Sequence, residues 1–133
     1  MKYLLDTDTF SEMARGRNPA LEAHLAHRSL ADMALSAITV GEVQFGLLGL
    51  PLATRLLART RELLAGIACL SVDQAVALRY GEVRAYLARS GQPIGPNDHW
   101  IAAHASSLDL TLVTGNIGEF SRVPKLRLEN WLR

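Results

Sequence analysis

Three acids in this chain, Asp6, Glu42 and Asp98, are set among apolar neighbours. A carboxylate in such surroundings needs a hydrogen-bonding partner or a cation. Asp6 ends the run Lys2-Tyr3-Leu4-Leu5. It could act as a helix cap, but Thr7, Asp8 and Thr9 lie nearer the next helix and suit that task. Glu42 falls at helical spacing with Ile38 and Phe45, beside a stripe of Val40, Val43 and Leu47, and is expected among core-facing residues. Asp98 opens a helix that it or Asn97 would cap. It shares a face with Ile101, Ala102 and Ala105, which turns it toward a sheet. The segment Thr114-Gly115-Asn116-Ile117-Gly118-Glu119-Phe120 offers two further oxygen donors, Asn116 or Glu119, with Thr114 placed to orient one of them. An ordinary turn accounts for the same residues.

Gathered at one place, these acids repel one another. Two carboxylates about 4 Å apart cost roughly 4 kcal/mol at an effective dielectric near 20. Either one stays protonated or a cation neutralises them. Oxygen-only ligands select a hard divalent ion, Mg²⁺ or Mn²⁺, which suits phosphodiester hydrolysis.

The rest of the chain must bring those positions together. Short apolar runs at Lys2–Leu5, Met33–Ser36, Ile67–Val72 and Leu110–Thr114 read as buried strands, with Leu126–Glu129 as a fifth. Helices are expected over Ser11–Arg15, closed by Gly16, and from Pro19 to about Arg28. Another runs from a cap at Thr39 to Leu48, ended by Gly49 and Pro51. Leu52, Leu56 and Leu63, with Ala53, Leu57 and Leu64, form a helical apolar stripe. Asp73 caps a helix that carries Val76, Tyr80, Val83 and Leu87 and ends at Gly91. Asp98–Leu108 forms one more. This alternation predicts an α/β sandwich with a central, mostly parallel sheet flanked by helices, whose ligands bind at the carboxyl ends of the strands.

The chain has 133 residues, the size of one domain spanning 1–133. Its single cysteine, Cys69, excludes an internal disulfide and lies in Ile67-Ala68-Cys69-Leu70, where a buried, inert thiol is expected. A reducing cytoplasmic setting fits, and neither a signal peptide nor a membrane span is read. Fourteen basic residues against thirteen acidic ones leave a net charge of +1, which does not announce a nucleic-acid binder; twelve of the fourteen are arginine. Arginine suits phosphate, although a GC-rich genome yields the same bias.

Four segments together resemble a known family. They are Tyr3-Leu4-Leu5-Asp6-Thr7-Asp8, Ser36-Ala37-Ile38-Thr39-Val40-Gly41-Glu42, Ile94-Gly95-Pro96-Asn97-Asp98-His99-Trp100, and Leu112-Val113-Thr114-Gly115-Asn116 with the tail to Trp131. In order and spacing they are similar to the motifs of VapC-type PIN-domain toxins. The resemblance implies a PIN-like three-layer sandwich and a Mg²⁺-dependent endoribonuclease in which Mn²⁺ can substitute. It also implies a homodimer, a cognate antitoxin partner and an RNA substrate, such as a tRNA or another structured RNA. It maps the family's best-defined acids, as metal ligands and catalytic groups, onto Asp6, Glu42 and Asp98, and leaves the fourth position to Asn116 or Glu119. Two departures are Asp8, often Asn in this group, and Gly115, where Asn or Arg is more usual. By the same analogy, Ala31 to about Ala65 carries part of the dimer and antitoxin surface.

Other residues have plain alternatives. Thr7 and Ser36 suit either ligand support or capping. His99 reads as an exposed histidine more readily than as a substrate contact, and His104 as an ordinary helix residue. Trp100 and Trp131 read as packing. Arg15, Arg17, Arg79, Arg84 and Arg89 suit RNA phosphates or solvated helix faces equally. Asp6-Thr7-Asp8-Thr9 mimics the opening of haloacid-dehalogenase-type phosphatases, but Thr9 stands where that family wants Gly, and neither Lys2 nor Lys125 is placed as its catalytic lysine. A phosphoacceptor receiver domain fails for want of the same late lysine. A PIN-like RNA- or partner-binding module without catalysis is the remaining alternative, and the intact acidic trio argues against it.

Overall fold

The structure is a computed structural model that describes residues 1–52 and 54–133. Five short strands, β1 (Tyr3–Leu5), β2 (Met33–Ser36), β3 (Ala68–Leu70), β4 (Thr111–Val113) and β5 (Leu128–Glu129), form one sheet in the order β3-β2-β1-β4-β5. Every pairing is parallel. The helices are α1 (Thr7–Arg15), α2 (Pro19–Leu25), α3 (Ala37–Leu48), α4 (Arg55–Gly66), α5 (Gln74–Arg89), α6 (Pro96–Ser107) and α7 (Ile117–Phe120).

Strand periodicity explains the three layers. Successive side chains alternate between the two faces of a sheet. Leu4, Ala34 and Leu112 enter one core with Val83 and Leu87 of α5, Ile101 and Ala105 of α6, and Phe120 of α7. Their neighbours Leu5, Met33, Leu35 and Val113 enter the other core with residues of α1, α2, α3 and α4. Both faces are covered, so the central strands read as unbroken apolar runs. Trp131, fully buried beyond β5, closes the second core. It meets Tyr3 edge-on with centroids 4.9 Å apart and lies under the Arg28 guanidinium at 4.6 Å. Trp100 stacks on Tyr80 at 3.7 Å, so both tryptophans pack, as expected.

Several boundaries differ from those expected, each for a local reason. Helix α1 starts at Thr7, and its cap is Asp6 itself, whose Oδ1 accepts from the Thr9 N–H at 2.8 Å. The nearer candidates Thr7, Asp8 and Thr9 therefore lie inside the helix. Likewise Ser36, at the end of β2, caps α3 through the Ile38 N–H at 3.1 Å, and Thr39 is buried within that helix. Gly95 takes the cap position of α6, leaving Asn97 and Asp98 in its first turn. The stripe around Leu52 begins later, with Thr54 capping α4; Leu52 is exposed, and Ala53 lies outside the described residues. Cys69 is exposed rather than buried, because β3 is the sheet's edge and only Ile67 of its run is buried. Asp73 caps α5, and Gly91 at φ +66° follows its end, as read from the sequence.

Candidate active site

The strand order reverses beside β1: β2 and β3 lie on one side of it, β4 and β5 on the other. Parallel sheets open a crevice at such a switch point, at the carboxyl ends of the strands. Asp6 follows the last residue of β1 and Thr114 the last residue of β4. The Asp6 N–H donates to the Val113 carbonyl at 3.0 Å, and the buried Thr9 hydroxyl donates to the same oxygen at 3.2 Å. Asp6 is therefore fixed between two strands and a helix start. Its side chain is 6% exposed. Burial raises its carboxyl above the usual range, against the hydrogen bonds from Thr114 and Thr9 that favour the charged form.

Glu42 does not face the core. Its helix face includes Phe45, which is 82% exposed, while the buried face of α3 carries Thr39, Val43 and Leu47. A helix turns 100° per residue, so a glutamate beside a core stripe also lies beside the open edge. That edge faces the crevice. The Thr7 hydroxyl donates to Glu42 Oε1 at 2.6 Å, with the Thr39 hydroxyl 3.3 Å from that of Thr7. The residue after Asp6 thus ties Glu42 to the end of β1.

Asp98 and Glu42 line one cleft of about 450 Å³ with Gly95, Pro96 and Asn97. A Cβ on Gly95 would stand 3.1 Å from Asp98 Oδ2, so glycine leaves room for this carboxylate to lie back over the helix start. Asp98 is raised to about 6, first by burial and then by the charges of Glu119, Asp6, Glu42 and Asp8. Five carboxylates from four parts of the chain therefore act on one locus. Among the described residues, no three metal-binding side chains close around a single point. Asp98 and Glu42 share the cleft and the other acids stand around it rather than closing on one point, as mutually repelling charges are expected to do.

Asn116 and Glu119 turn out to be one unit. Asn116 caps the single turn α7, accepting from the Glu119 N–H at 3.4 Å and donating from Nδ2 to Glu119 Oε2 at 3.0 Å. The Thr114 hydroxyl accepts the Asn116 N–H at 2.9 Å. Glu119 is the larger electrostatic influence on Asp98, and Asn116 holds Glu119. A Cβ on Gly115 would come within 2.9 Å of Leu132 Cδ1, so a larger residue there would displace the end of that side chain.

Two histidines depart from expectation. His104 is fully buried, its Nδ1 2.8 Å from Ser36 Oγ, and burial lowers its pKa. A neutral imidazole thus joins α6 to the cap of α3, the helices that carry Asp98 and Glu42. His99 is also buried, with Nδ1 3.0 Å from the Gly95 carbonyl. The face of α6 marked by Ile101, Ala102 and Ala105 is covered as expected, and α5 packs on the helix as well, with Tyr80 meeting His99 edge-on at 6.4 Å.

Known proteins agree with this geometry. The PIN domain family model matches residues 3–126. The chain is 34% identical over 134 residues to the tRNA(fMet)-specific endonuclease VapC of Salmonella typhimurium, covering 98% of each. It is 35% identical over 132 residues to ribonuclease VapC2 of Haemophilus influenzae, covering 99% of each. The structure of DNA-bound VapBC from Salmonella typhimurium superposes with a TM-score of 0.90, at 34% identity and 98% coverage of both chains. With its all-parallel five-stranded sheet and its acids at the switch point, the chain belongs to the PIN-domain family and, within it, to the VapC group of ribonuclease toxins.

Proposed function

We propose that this chain is the toxin of a toxin–antitoxin pair and hydrolyses RNA phosphodiester bonds internally, with Mg²⁺ or Mn²⁺ held by Asp6, Glu42 and Asp98. The observation that carries this reading is that Asp98 and Glu42 line one cleft at the mouth of the sheet, where Thr7 ties Glu42 to the residue after Asp6 at the end of β1. An all-oxygen donor set with surplus negative charge fits a hard divalent ion. When bound, such an ion neutralises the acids, draws in a substrate phosphate and supplies an activated water.

The chain's own groups do the positioning. The Thr9 N–H holds one oxygen of Asp6, and the Thr7 hydroxyl holds one oxygen of Glu42, so both carboxylates are fixed in place before an ion arrives. Glu119, braced by Asn116, is the fourth acid and Asn116 its positioning residue. Asp8 adds negative charge at the rim. By likeness to the tRNA(fMet)-specific relative and the VapBC complex, the substrate class is tRNA and the partner a cognate antitoxin. We also propose a homodimer, as the family resemblance implies, and a cytoplasmic site of action, as the single cysteine suggests. No described helix is long and apolar enough to cross a membrane.

The purified chain, incubated with a tRNA transcript in Mg²⁺, is expected to yield internal cleavage products on a denaturing gel. Excess EDTA should stop the reaction, and Mn²⁺ added beyond the chelator should restore it. Cleavage that persists in excess chelator would contradict the metal-dependent reading.

A further inference from the structure

Away from the acids, Arg15, Arg17, Arg55 and Arg59 line one open concavity of about 630 Å³, with Glu22 the one carboxylate in its wall. The end of α1 and the start of α4 build it. Gly16, left-handed at φ +66°, turns the chain after Arg15, and a Cβ there would stand 4.0 Å from Arg59 Nε. Arg55 and Arg59 are one helical turn apart and share a face of α4. Arg15 is paired with Glu12 at 3.1 Å; among the described residues, Arg17, Arg55 and Arg59 have no ion-pair partner. Like charges one turn apart destabilise a helix slightly, and a polyanion would relieve that repulsion. On a chain whose net charge is only +1, this is a concentrated basic patch.

The patch is joined to the acidic cleft. A hollow of about 180 Å³ shares Ala14, Arg15 and Leu56 with it and reaches Thr7 and Glu42 at its other end. Thr7 and Glu42 also line a hollow that includes Asn97. Glu42 and Asn97 in turn border the cleft of Asp98. The basic patch and the acidic cleft therefore lie along one face of the chain, bordered by neighbouring hollows that share lining residues. The acidic end repels phosphate until a cation is bound, whereas planar guanidiniums bind phosphate oxygens bidentately without one.

We infer that Arg17, Arg55 and Arg59 form a subsite for backbone phosphates of an RNA strand, flanking the bond cut at the acidic cleft. This rests on the nuclease reading above. The subsite lets the chain grip RNA where its own acids are not in the way.

The test uses fluorescence anisotropy of a labelled tRNA transcript with the full chain carrying Asp98→Asn, in Mg²⁺, across a series of salt concentrations. Adding Arg55→Gln and Arg59→Gln is expected to weaken binding on the order of tenfold and to flatten the slope of log affinity against log salt by about 1.4, the value for two lost phosphate contacts on a single strand. The control pair Arg84→Gln and Arg89→Gln removes the same charge from α5, on the other side of the sheet, and is expected to change affinity less than about twofold. Equal losses in both pairs would reduce the effect to net charge and overturn the assignment. So would unchanged affinity and slope. Cutting of the same transcript by the wild-type chain tests the nuclease reading separately.

Discussion

Asp98→Asn is expected to lower RNA cleavage on the order of 10³-fold or more while the chain stays folded, as losses of single groups in a catalytic constellation commonly do. The substitution keeps the side chain's size and removes one negative oxygen from the locus where five acids interact. Asp98 caps no helix, because Gly95 holds that position, so the substitution leaves the cap of α6 in place. Asp6→Asn is expected to behave alike for a further reason. Asp6 is the cap of α1, and asparagine caps as well as aspartate, so the helix start survives while the charge is lost. Asp6→Ala would confound the two by removing the cap, worth about 1 kcal/mol. Initial rates on a tRNA transcript, with circular dichroism to verify folding, check both variants. Wild-type cleavage by either one would remove that acid from the mechanism.

The second large effect is on pH and stability without metal. Asp98 titrates near 6 in the folded chain against 3.8 unfolded, so between those values the folded state holds the extra proton. Its contribution is fully present below about 3.8 and is lost as pH rises through about 6. Asp6, also raised by burial, acts in the same direction. In EDTA, the Asp98→Asn chain and the wild type are therefore expected to melt at similar temperatures near pH 4. Near pH 7.5 the variant should be the more stable. The sign follows from asparagine being unable to ionise in a crowded acidic cleft. Parallel melting curves across that range, or a variant less stable at neutral pH, would show that burial and the neighbouring acids do not raise the Asp98 carboxyl.

How much of the fold and the site is legible in the sequence depends on the kind of signal. The strands are readable because both faces of a parallel sheet are covered, which leaves runs such as Leu4-Leu5 and Leu112-Val113 with no polar break. The edge strand breaks that rule: Cys69 sits in an equally apolar run but has no neighbour beyond it. Asp6 is recognisable as unusual from its place after an apolar run. That it also caps α1 is hidden, since Thr7, Asp8 and Thr9 are equally good caps by type and only the path of the chain decides among them. Glu42 stands out through its apolar neighbours, yet the expectation that it faces the core is mistaken, because its helical face is the one with exposed Phe45. Composition does not choose between Asn116 and Glu119. The structure joins the two by a hydrogen bond from Asn116 Nδ2 to Glu119 Oε2, a pairing that residue type and spacing alone do not reveal. His104 leaves no trace in sequence; its partner, Ser36, lies 68 residues away.

The proposed chemistry turns on carboxylates from β1, α3 and α6 jointly holding one divalent cation. Calorimetric titration of Mn²⁺ into the wild-type chain tests this, with thermal melting over the same concentrations as the linked readout. A single saturable site is expected, with about 2.7 kcal/mol of added stability at a hundredfold excess over its dissociation constant. Both signals should largely disappear in Asp6→Asn, Glu42→Gln and Asp98→Asn alike. Undiminished Mn²⁺ binding in all three variants, or no saturable binding by the wild type, would contradict it.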